Sequence, residues 1–544
     1  MMIEVPALDD PRIPDRANCV LVDLLVERVR EDPDRVLVRF ADGSEWTRAQ
    51  TLANARATAA ALHAAGARSG DRILLWMPNG PEAVRSVVAA SLLGATVVPV
   101  STAYRGSLLA QTLHIAGVRT GVVHAELVDR LAELGPEGRA DLASVLVARG
   151  AVPVAPTGLE LVEWDTAHAQ ASDLLVAERP HEPWDTLAVL FTSGTTGPSK
   201  AVPTTYVQHH SFQTSVHEGR LGPEDRVLVQ SPMSHMMGVN SLYGAVLFGS
   251  SIALTDGFDT ARFWATIAET GATCCSLVGS QLNFMVKSGR EAPAGHRLRR
   301  VTASPVDEAF AEFGRRYGVR METGFAMTEV PSALRSDPAT TPPGSCGRVR
   351  PGMQVRLVDE FDREVPDGTP GELIVRADRP WTIAAGYLGM PEATARAWRN
   401  GWFHTGDALR RDAEGNYYFV DRLKDAIRRR GENISSAEVE AEVLRHPAVR
   451  MAAVVGVASE FGEQEVLAAV VPADGTALDP VDLLELLRGR LPYFMVPRYV
   501  RVLADLPLTA TGRVQKSELR SAGVTEDTWD RDAAGIGVHR ERLT

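Results

Sequence analysis

Lysine is nearly missing from this sequence of 544 residues: it stands only at positions 200, 287, 424 and 516, and arginine supplies the rest of the 57 cations. Against that default each surviving lysine is worth inspecting, because a compact ammonium on a flexible stem does what a planar guanidinium does not. Positive charge as a whole is also short. The 57 Lys and Arg face 69 Asp and Glu, a net charge of -12, which repels phosphate backbones and excludes a broad nucleic-acid surface. Any anionic ligand must then meet a local cationic site. Cysteine is scarce: Cys19, Cys274, Cys275 and Cys346 show neither zinc-finger spacing nor the density of a secreted disulfide scaffold, which points to a reducing cytoplasm. Clean apolar runs are missing too. The longest, Met236 to Leu254, is broken by Asn240, hydroxyls and glycines, and reads as a buried helix and strand, not a membrane span. The first ten residues lack a basic region followed by an apolar one, and the last four are no prenylation signal, so neither export nor a membrane anchor is expected. Gly and Pro, 46 and 33, are too few for a low-complexity or fibrous chain.

What is present is alternation. Ala49 to Ala65 and Pro81 to Leu93 read as helices, Arg72 to Met77 and Thr96 to Val98 as strands, which predicts an α/β fold with parallel strands. Leu131 to Ala177 is expected to hold surface loops and short strands. Past residue 340 the texture shifts to short strands at Val355–Val358, Glu372–Val375 and Tyr417–Val420 between Gly- and Asp-rich turns, a small β-rich subdomain. A compact αβ pattern follows Asp421. Ser435 to Glu438 has the form of a capping box opening a helix; strands near Ala452–Val457, Val466–Val471 and Tyr499–Leu503 and a helix at Pro480–Arg490 complete a separate C-terminal domain. The expected division is a large multi-subdomain N-terminal domain, residues 1–421, and a small, mobile α+β domain, residues 422–544.

The strongest local signal is the strand-like Leu187 to Phe191 running into Thr192-Ser193-Gly194-Thr195-Thr196-Gly197-Pro198-Ser199-Lys200. Glycines expose backbone N–H groups, hydroxyls donate hydrogen bonds and a lysine adds a point charge, a combination suited to polyphosphate. A flexible Ser/Gly turn is the competing reading, and the P-loop pattern does not fit. Further along stand Gly324-Phe325-Ala326-Met327-Thr328-Glu329, Gly371-Glu372-Leu373, Gly386-Tyr387, Trp402-Phe403-His404-Thr405-Gly406-Asp407, Asp421-Arg422-Leu423-Lys424-Asp425, and the stretch Pro507 to Lys516.

In this order the series resembles the adenylate-forming superfamily, and the resemblance covers roughly residues 20 to 520. It implies that Thr192, Ser193, Gly194, Thr195, Thr196 and Lys200 hold the β- and γ-phosphates of ATP, that Thr328 lies beside the α-phosphate, and that Glu329 is the ligand of Mg²⁺, a cation that demands oxygen. Asp407 would meet the ribose and Arg422 the same ribose or the phosphate; adenine would pack near Thr302 to Pro305, which includes Ala303 and Ser304, and against the ring of Phe325, with Glu322, Thr323 and Gly324 also counted in the nucleotide site. His235 matches the family's gate histidine, with a core histidine as the alternative. Three of the four lysines fall inside these motifs. The relatives' catalytic lysine follows the last motif's glycine, where this chain has Arg513; the ammonium comes three residues later, so Lys516 is favoured over Arg513 as the cation facing the reacting groups. Lys424 occupies the hinge about which the family's small domain rotates between half-reactions. Arg428 to Arg430 and Asn433 fall where coenzyme A ligases line the pantetheine tunnel, with a solvated basic face as the competing reading.

The wording from Asp421 to Ser435, with Gly512 to Lys516 and Asp527-Thr528-Trp529-Asp530-Arg531, is most similar to the crotonobetaine/carnitine-CoA ligase-like branch. The implied reaction is adenylation of a small acid followed by transfer to coenzyme A, by a monomer or homodimer. Departures near the expected substrate pocket (Ala303-Ser304-Pro305, Phe325-Ala326, Ala201) and the polar Ser234, Ser304, His209 and His210 suggest a small polar or aromatic acid in place of a long acyl chain. Two alternatives are kept open. One is a diazotase that adenylates nitrite and treats an aromatic amine; the other is a non-catalytic nucleotide binder, which the joint presence of Glu329, Asp407, Arg422 and Lys516 argues against.

Overall fold

The computed structural model of the chain describes residues 10–169, 179–192, 199–217, 219–304, 306, 308–337, 339–422, 426–459, 462–473, 475–507, 514 and 516–538. Two seven-stranded sheets organise the large domain. In the first, strands Arg320–Glu322, Arg300–Ser304, Cys274–Val278, Arg226–Val229, Ser251–Leu254 and Val36–Arg39 run parallel in that order, and Glu45–Thr47 closes the edge antiparallel. The second orders Glu160–Glu163, Ser144–Ala148, Thr120–His124, Arg72–Trp76, Thr96–Pro99 and Thr186–Thr192 in parallel, with Lys200–Thr205 folded back antiparallel on the last.

A shared helix layer joins them. Helices Leu21–Glu31, Arg48–Ala64, Pro81–Leu93 and Met236–Phe248 contribute to one apolar cluster that includes Ile73, Leu75 and Val97 from one sheet and Val38, Ile252 and Leu254 from the other. Strands buried on both faces carry near-continuous apolar runs, as parallel strands covered by helices do. Met236 to Leu254, the run of spanning length, resolves into helix Met236–Phe248 and buried strand Ser251–Leu254. No helix among the described residues is long and apolar enough to cross a membrane.

The short strands expected within Leu131 to Ala177 are present, Ser144–Ala148 and Glu160–Glu163, but the first is no surface element: it is buried at every position and lies inside the second sheet, between Thr120–His124 and Glu160–Glu163. Its neighbours' Gly, Pro and acidic residues form turns that mask a five-residue interior strand too short to show a period.

A smaller antiparallel sheet, Met353–Val358, Gly371–Ala377, Trp402–Arg411 and Tyr417–Arg422 with Trp398–Arg399, follows. Beyond it, strands Val449–Ala458, Gln464–Pro472, Tyr499–Val502 and Trp529–Asp530 form a sheet with helices Ser436–Val443 and Pro480–Arg488 against one apolar cluster and helix Lys516–Ala522 against another. Leu108, from the start of the large-domain helix Gly106–Ala116, is buried in that C-terminal cluster, so the two parts share core across their boundary.

Candidate active site

In both large sheets the chain proceeds from a central strand to one side and then to the other: Arg226–Val229 is flanked by Ser251–Leu254 and Cys274–Val278, and Arg72–Trp76 by Thr96–Pro99 and Thr120–His124. Crevices outside the carboxyl ends of strands at such reversals are where open α/β sheets bind ligands. Here the two crevices meet. Met77 to Asn79 and Ser101 to Ala103 from one sheet, and Gln230, Ser231 and Val278 from the other, line a single cavity of about 530 Å³. Asn79 ties the two together: its Nδ2 donates to the carbonyls of Ser231 at 3.2 Å and Thr255 at 2.8 Å, and its Oδ1 accepts from the Met233 N–H at 2.9 Å. The sequence reading missed Asn79. The only local signal is a polar residue between Pro78 and Gly80 at the end of an apolar strand.

The opposite wall comes from the C-terminal domain. Strands Ala426–Arg429 and Glu432–Ser435 pair as a hairpin, and its two turn residues, Arg430 and Gly431, both have positive φ, 52° and 83°, as a tight two-residue hairpin turn requires. A Cβ on Gly431 would sit 3.0 Å from Val278 Cγ2, so only glycine lets the tip approach this closely. Beside it, His235 Nε2 is 3.1 Å from Glu432 Oε2. His235 therefore stands at the cavity and joins the two domains; Met237 and Ser234 line the same space, whereas Met236 packs into the helix layer.

The phosphate segment is described at its two ends, Thr192 and Ser199–Lys200, which the antiparallel strands bring into register as Thr192 against Lys200. Ser193, Gly194, Thr195 and Thr196 lie outside the described residues. Lys200 Nζ stands 4.6 Å from the centroid of Tyr387, and the Tyr387 hydroxyl donates to Glu329 Oε1 at 2.9 Å. Burial and the Glu329 carboxylate both push the Tyr387 hydroxyl upward, so it remains a donor. Glu329 is itself buried, its carbonyl accepts from the Ala384 N–H at 2.8 Å, and the Thr328 carbonyl accepts from Gln208 Nε2 at 2.7 Å. Tyr387 thus spans the lysine and the carboxylate that the sequence reading treated separately.

Asp407 is buried, and its backbone pairs in register with that of Arg422 across neighbouring strands. Its backbone is held by Glu372, whose Oε1 accepts the Gly406 N–H at 3.0 Å and whose Oε2 lies 2.9 Å from His404 Nδ1. Gly324 passes so close to the next strand that a Cβ would meet the Leu334 carbonyl at 2.5 Å.

Other candidates are placed differently from the sequence reading. Phe325, expected to face adenine, packs with Val330, Leu334 and Cys346, because alternate residues of its strand point to opposite faces. Ala303 faces the apolar cluster under the first sheet, leaving Thr302 and Ser304 on the other face. Thr323 is buried, its N–H donating to Ser336 Oγ at 2.8 Å, and the Glu322 carboxylate is surrounded by Arg220 at 3.0 Å, Arg320 at 3.3 Å and Arg300 at 3.9 Å. His209 does not reach the cavity. It lies fully buried between Asn240 Oδ1 at 3.1 Å and Thr204 Oγ1 at 3.0 Å, and burial pulls it down to about 4, which keeps it neutral. Arg429 is not an anion ligand either: it is buried, 2.6 Å from Glu465, and donates to the Phe494 carbonyl at 2.8 Å. Arg428 lies 3.9 Å from Glu463, and Arg430 alone of the three lines the cavity. Asn433 and Arg422 are described in backbone only, and Lys424 and Arg513 lie outside the described residues. Lys516 Nζ is 2.7 Å from Glu440 Oε1 and donates to Ser436 Oγ at 2.8 Å, both within its own domain. Glu438, on the helix Ser436–Val443 that the sequence reading opens with a capping box, accepts from Ser199 Oγ at 2.7 Å across the domain boundary.

The AMP-binding enzyme family profile matches residues 25–388, and the profile of the AMP-binding enzyme C-terminal domain matches residues 438–513. The chain belongs to the AMP-binding enzyme family. It is 31% identical over 512 residues to the sulfoacetate–CoA ligase of Cupriavidus necator, covering 92% of this chain and 97% of that enzyme. To the crotonobetaine/carnitine–CoA ligase of Salmonella arizonae it is 28% identical over 482 residues, 85% and 90% of the two chains. Among solved structures, a double mutant of the o-succinylbenzoate CoA synthetase of Bacillus subtilis, bound with a coenzyme A product analogue, superposes with a TM-score of 0.80 at 23% identity over 92% of this chain and 98% of that one. The same synthetase in complex with AMP gives 0.65 over 92% and 99%. At such identity the likeness concerns the fold, and the fold here follows the first arrangement more closely.

Proposed function

We propose that this member of the family adenylates a small polar or aromatic acid and passes the acyl group to coenzyme A. Two observations carry the reading: Lys200, Tyr387 and Glu329 form one cluster in the large domain, and a cavity at the ends of its two sheets is closed across the domain boundary by His235, Glu432 and the Arg430–Gly431 turn. The acid's oxygen would attack the α-phosphorus of ATP, and pyrophosphate would leave toward Lys200 and the segment from Thr192. Thr328 would sit beside the α-phosphate and Asp407 would accept from the ribose hydroxyls, with Arg422 as its cross-strand neighbour.

Mg²⁺ fits the donor set. Among the described residues no group of three metal-ligating side chains exists, but Mg²⁺ is commonly held by one or two carboxylates, substrate phosphates and water. Glu329 has one oxygen committed to Tyr387, leaving the other as such a carboxylate donor. The bound ion would offset charge on the departing pyrophosphate. The residues themselves bind and orient the reacting groups; no protein nucleophile is needed.

The orientation seen here suits the second half-reaction. The hairpin tip is at the cavity, while Lys516 is held on its own domain by Glu440 and Ser436; a domain rotation about the segment containing Lys424 would bring Lys516, or Arg513, to the α-phosphate for the first. Gln230, Ser231, Ser234 and Gln281 beside Met237 and Phe284 support a small acid with polar or aromatic character. A cytoplasmic monomer or homodimer is the setting we infer. The test is AMP release from ATP and Mg²⁺ across small aromatic and aliphatic acids with coenzyme A, alongside nitrite with an arylamine. AMP coupled to an acid and a thioester mass is the expected result; AMP formed only with nitrite and amine would replace this reading with a diazotase.

A further inference from the structure

The C-terminal run Asp527 to Arg531 and the residues after it are used by none of the roles above. They follow the last residue assigned to the nucleotide step, Lys516, and they end at the cavity. Trp529 and Asp530 add a strand to the small sheet, paired with Val500 and Tyr499. Asp530 receives both Nε and Nη2 of Arg498, at 3.2 and 3.1 Å. Arg531 is buried and its Nη1 donates to the carbonyls of Val496 at 3.5 Å and Pro497 at 3.4 Å. The Ile536 N–H then returns to the Arg531 carbonyl at 3.0 Å, turning the chain, and Arg488 Nη2 takes the Gly537 carbonyl at 2.5 Å. Gly537 and Val538 line the cavity directly, beside Phe494 and Val496.

The tail therefore shapes the cavity twice, with its own Val538 and by pinning the loop that carries Val496. We propose that the segment Trp529–Val538 is a wall of the acceptor site and determines which second substrate reaches the adenylate. This rests on the two-step reading above. The wall combines the apolar Val538, Phe494 and Val496 with the guanidinium of Arg488, and Arg105 and Arg430 line the same space. Such a lining suits an acceptor with a slender uncharged arm and an anionic remote group. Because the tail belongs to the mobile domain, it selects the acceptor only in the orientation in which the hairpin tip is docked.

Val538→Trp fills the wall, and Val538→Ala opens it. Coenzyme A binding by calorimetry, and the KM for coenzyme A against that for pantetheine, are the direct readouts; acid-dependent ATP–pyrophosphate exchange reports the first step separately. Val538→Trp is expected to weaken coenzyme A binding and raise its KM about tenfold or more, with exchange retained. Val538→Ala is expected to shift the ratio of the two acceptors without that loss, which guards against misfolding of the larger variant. Unchanged coenzyme A binding in Val538→Trp, equal losses in exchange and thioester formation, or no coenzyme A binding by the unmodified protein would each overturn the wall. Loss of coenzyme A binding in Val538→Trp, in a protein that shows no acid-dependent exchange, would keep the wall and overturn the adenylation reading instead.

Discussion

The nucleotide side and the acceptor side of the site are built on opposite plans. On the proposed nucleotide side the anchors of Glu329, Thr328 and Asp407 belong to one body: Tyr387 holds Glu329, Gln208 holds the Thr328 carbonyl, and Glu372 holds the turn before Asp407. On the acceptor side the anchors are carboxylates of the C-terminal domain reaching across a boundary, Glu432 to His235, Glu438 to Ser199 and Glu442 to Ser107. The first arrangement is preorganised, so its donors cost no rearrangement when charge develops. The second, on the proposed domain rotation, would exist only while the domains are docked. Ser199 makes the dependence concrete. It adjoins the proposed phosphate segment, and a carboxylate bound there would meet like charge when polyphosphate is present, so on this proposal docking would be favoured once pyrophosphate has left.

Lys516 is the sharpest way to break that contrast, because it belongs to the C-terminal domain but is assigned to the nucleotide step. Lys516→Ala should lower acid-dependent ATP–pyrophosphate exchange by ~10²–10³, the usual cost of one preorganised cation or donor. Thioester formation from a synthetic acyl-adenylate should change far less, since Lys516 is turned toward Glu440 and Ser436 in the docked orientation. Equal losses in both assays would place Lys516 in the fold and not in the reaction. If Arg513→Ala gave the larger loss in exchange, the catalytic role would pass to Arg513.

Tyr387→Phe tests the preorganised side. The ring that faces Lys200 is kept and only the hydroxyl on Glu329 is removed. A hydrogen bond to a charged group contributes about 1.5–3 kcal/mol, so exchange at limiting Mg²⁺ should fall about 10- to 100-fold and recover in part as Mg²⁺ is raised. Thioester formation from preformed adenylate should be nearly unaffected. A loss that Mg²⁺ does not relieve would show that Tyr387 acts on packing alone.

The two plans also explain what was legible in the sequence. The preorganised side is written in short motifs because each needs several residue types at fixed spacing, and the scarcity of lysine pointed to Lys200 without any structure. The α/β alternation was readable from helix and strand periods. Ser144–Ala148 was not, since a short apolar run between loops carries no period. Side-chain direction was equally hidden. His209 sits one residue from Gln208, which reaches the Thr328 carbonyl, and only the packing of helix Tyr206–His217 and strand Gly324–Phe325 shows that His209 and Phe325 turn elsewhere. Arg429 resembled a ligand for anions until Glu465 appeared beside it, a residue 36 positions later that no local pattern connects. Asn79 and Glu438 were invisible in their roles for the same reason: each acts across a junction between distant segments.

The smallest expected effect is a pH dependence of docking. Burial raises Glu438 from an ordinary 4.5 to about 7, opposed by the hydrogen bond from Ser199; Tyr104, whose own hydroxyl is pushed up by burial and by the carboxylates of Glu438 and Glu432, lies in the same interface. A carboxyl whose value is raised in one orientation binds its proton more tightly there, so protonation favours that orientation. The advantage is complete below about 4.5, falls as pH rises through the interval up to about 7, and is gone above it. Between pH 6 and pH 8 the docked population should therefore drop by up to about tenfold where docking is marginal. Thiol ionisation drives thioester formation the other way, so the quantity to follow is the ratio of Glu438→Gln to the unmodified protein. Glutamine is uncharged at every pH and can still accept from Ser199. The ratio should rise from pH 6 to pH 8 in thioester formation from preformed adenylate and stay level in ATP–pyrophosphate exchange. A ratio flat in both would mean that Glu438 holds the domains together through its hydrogen bond and not through its charge.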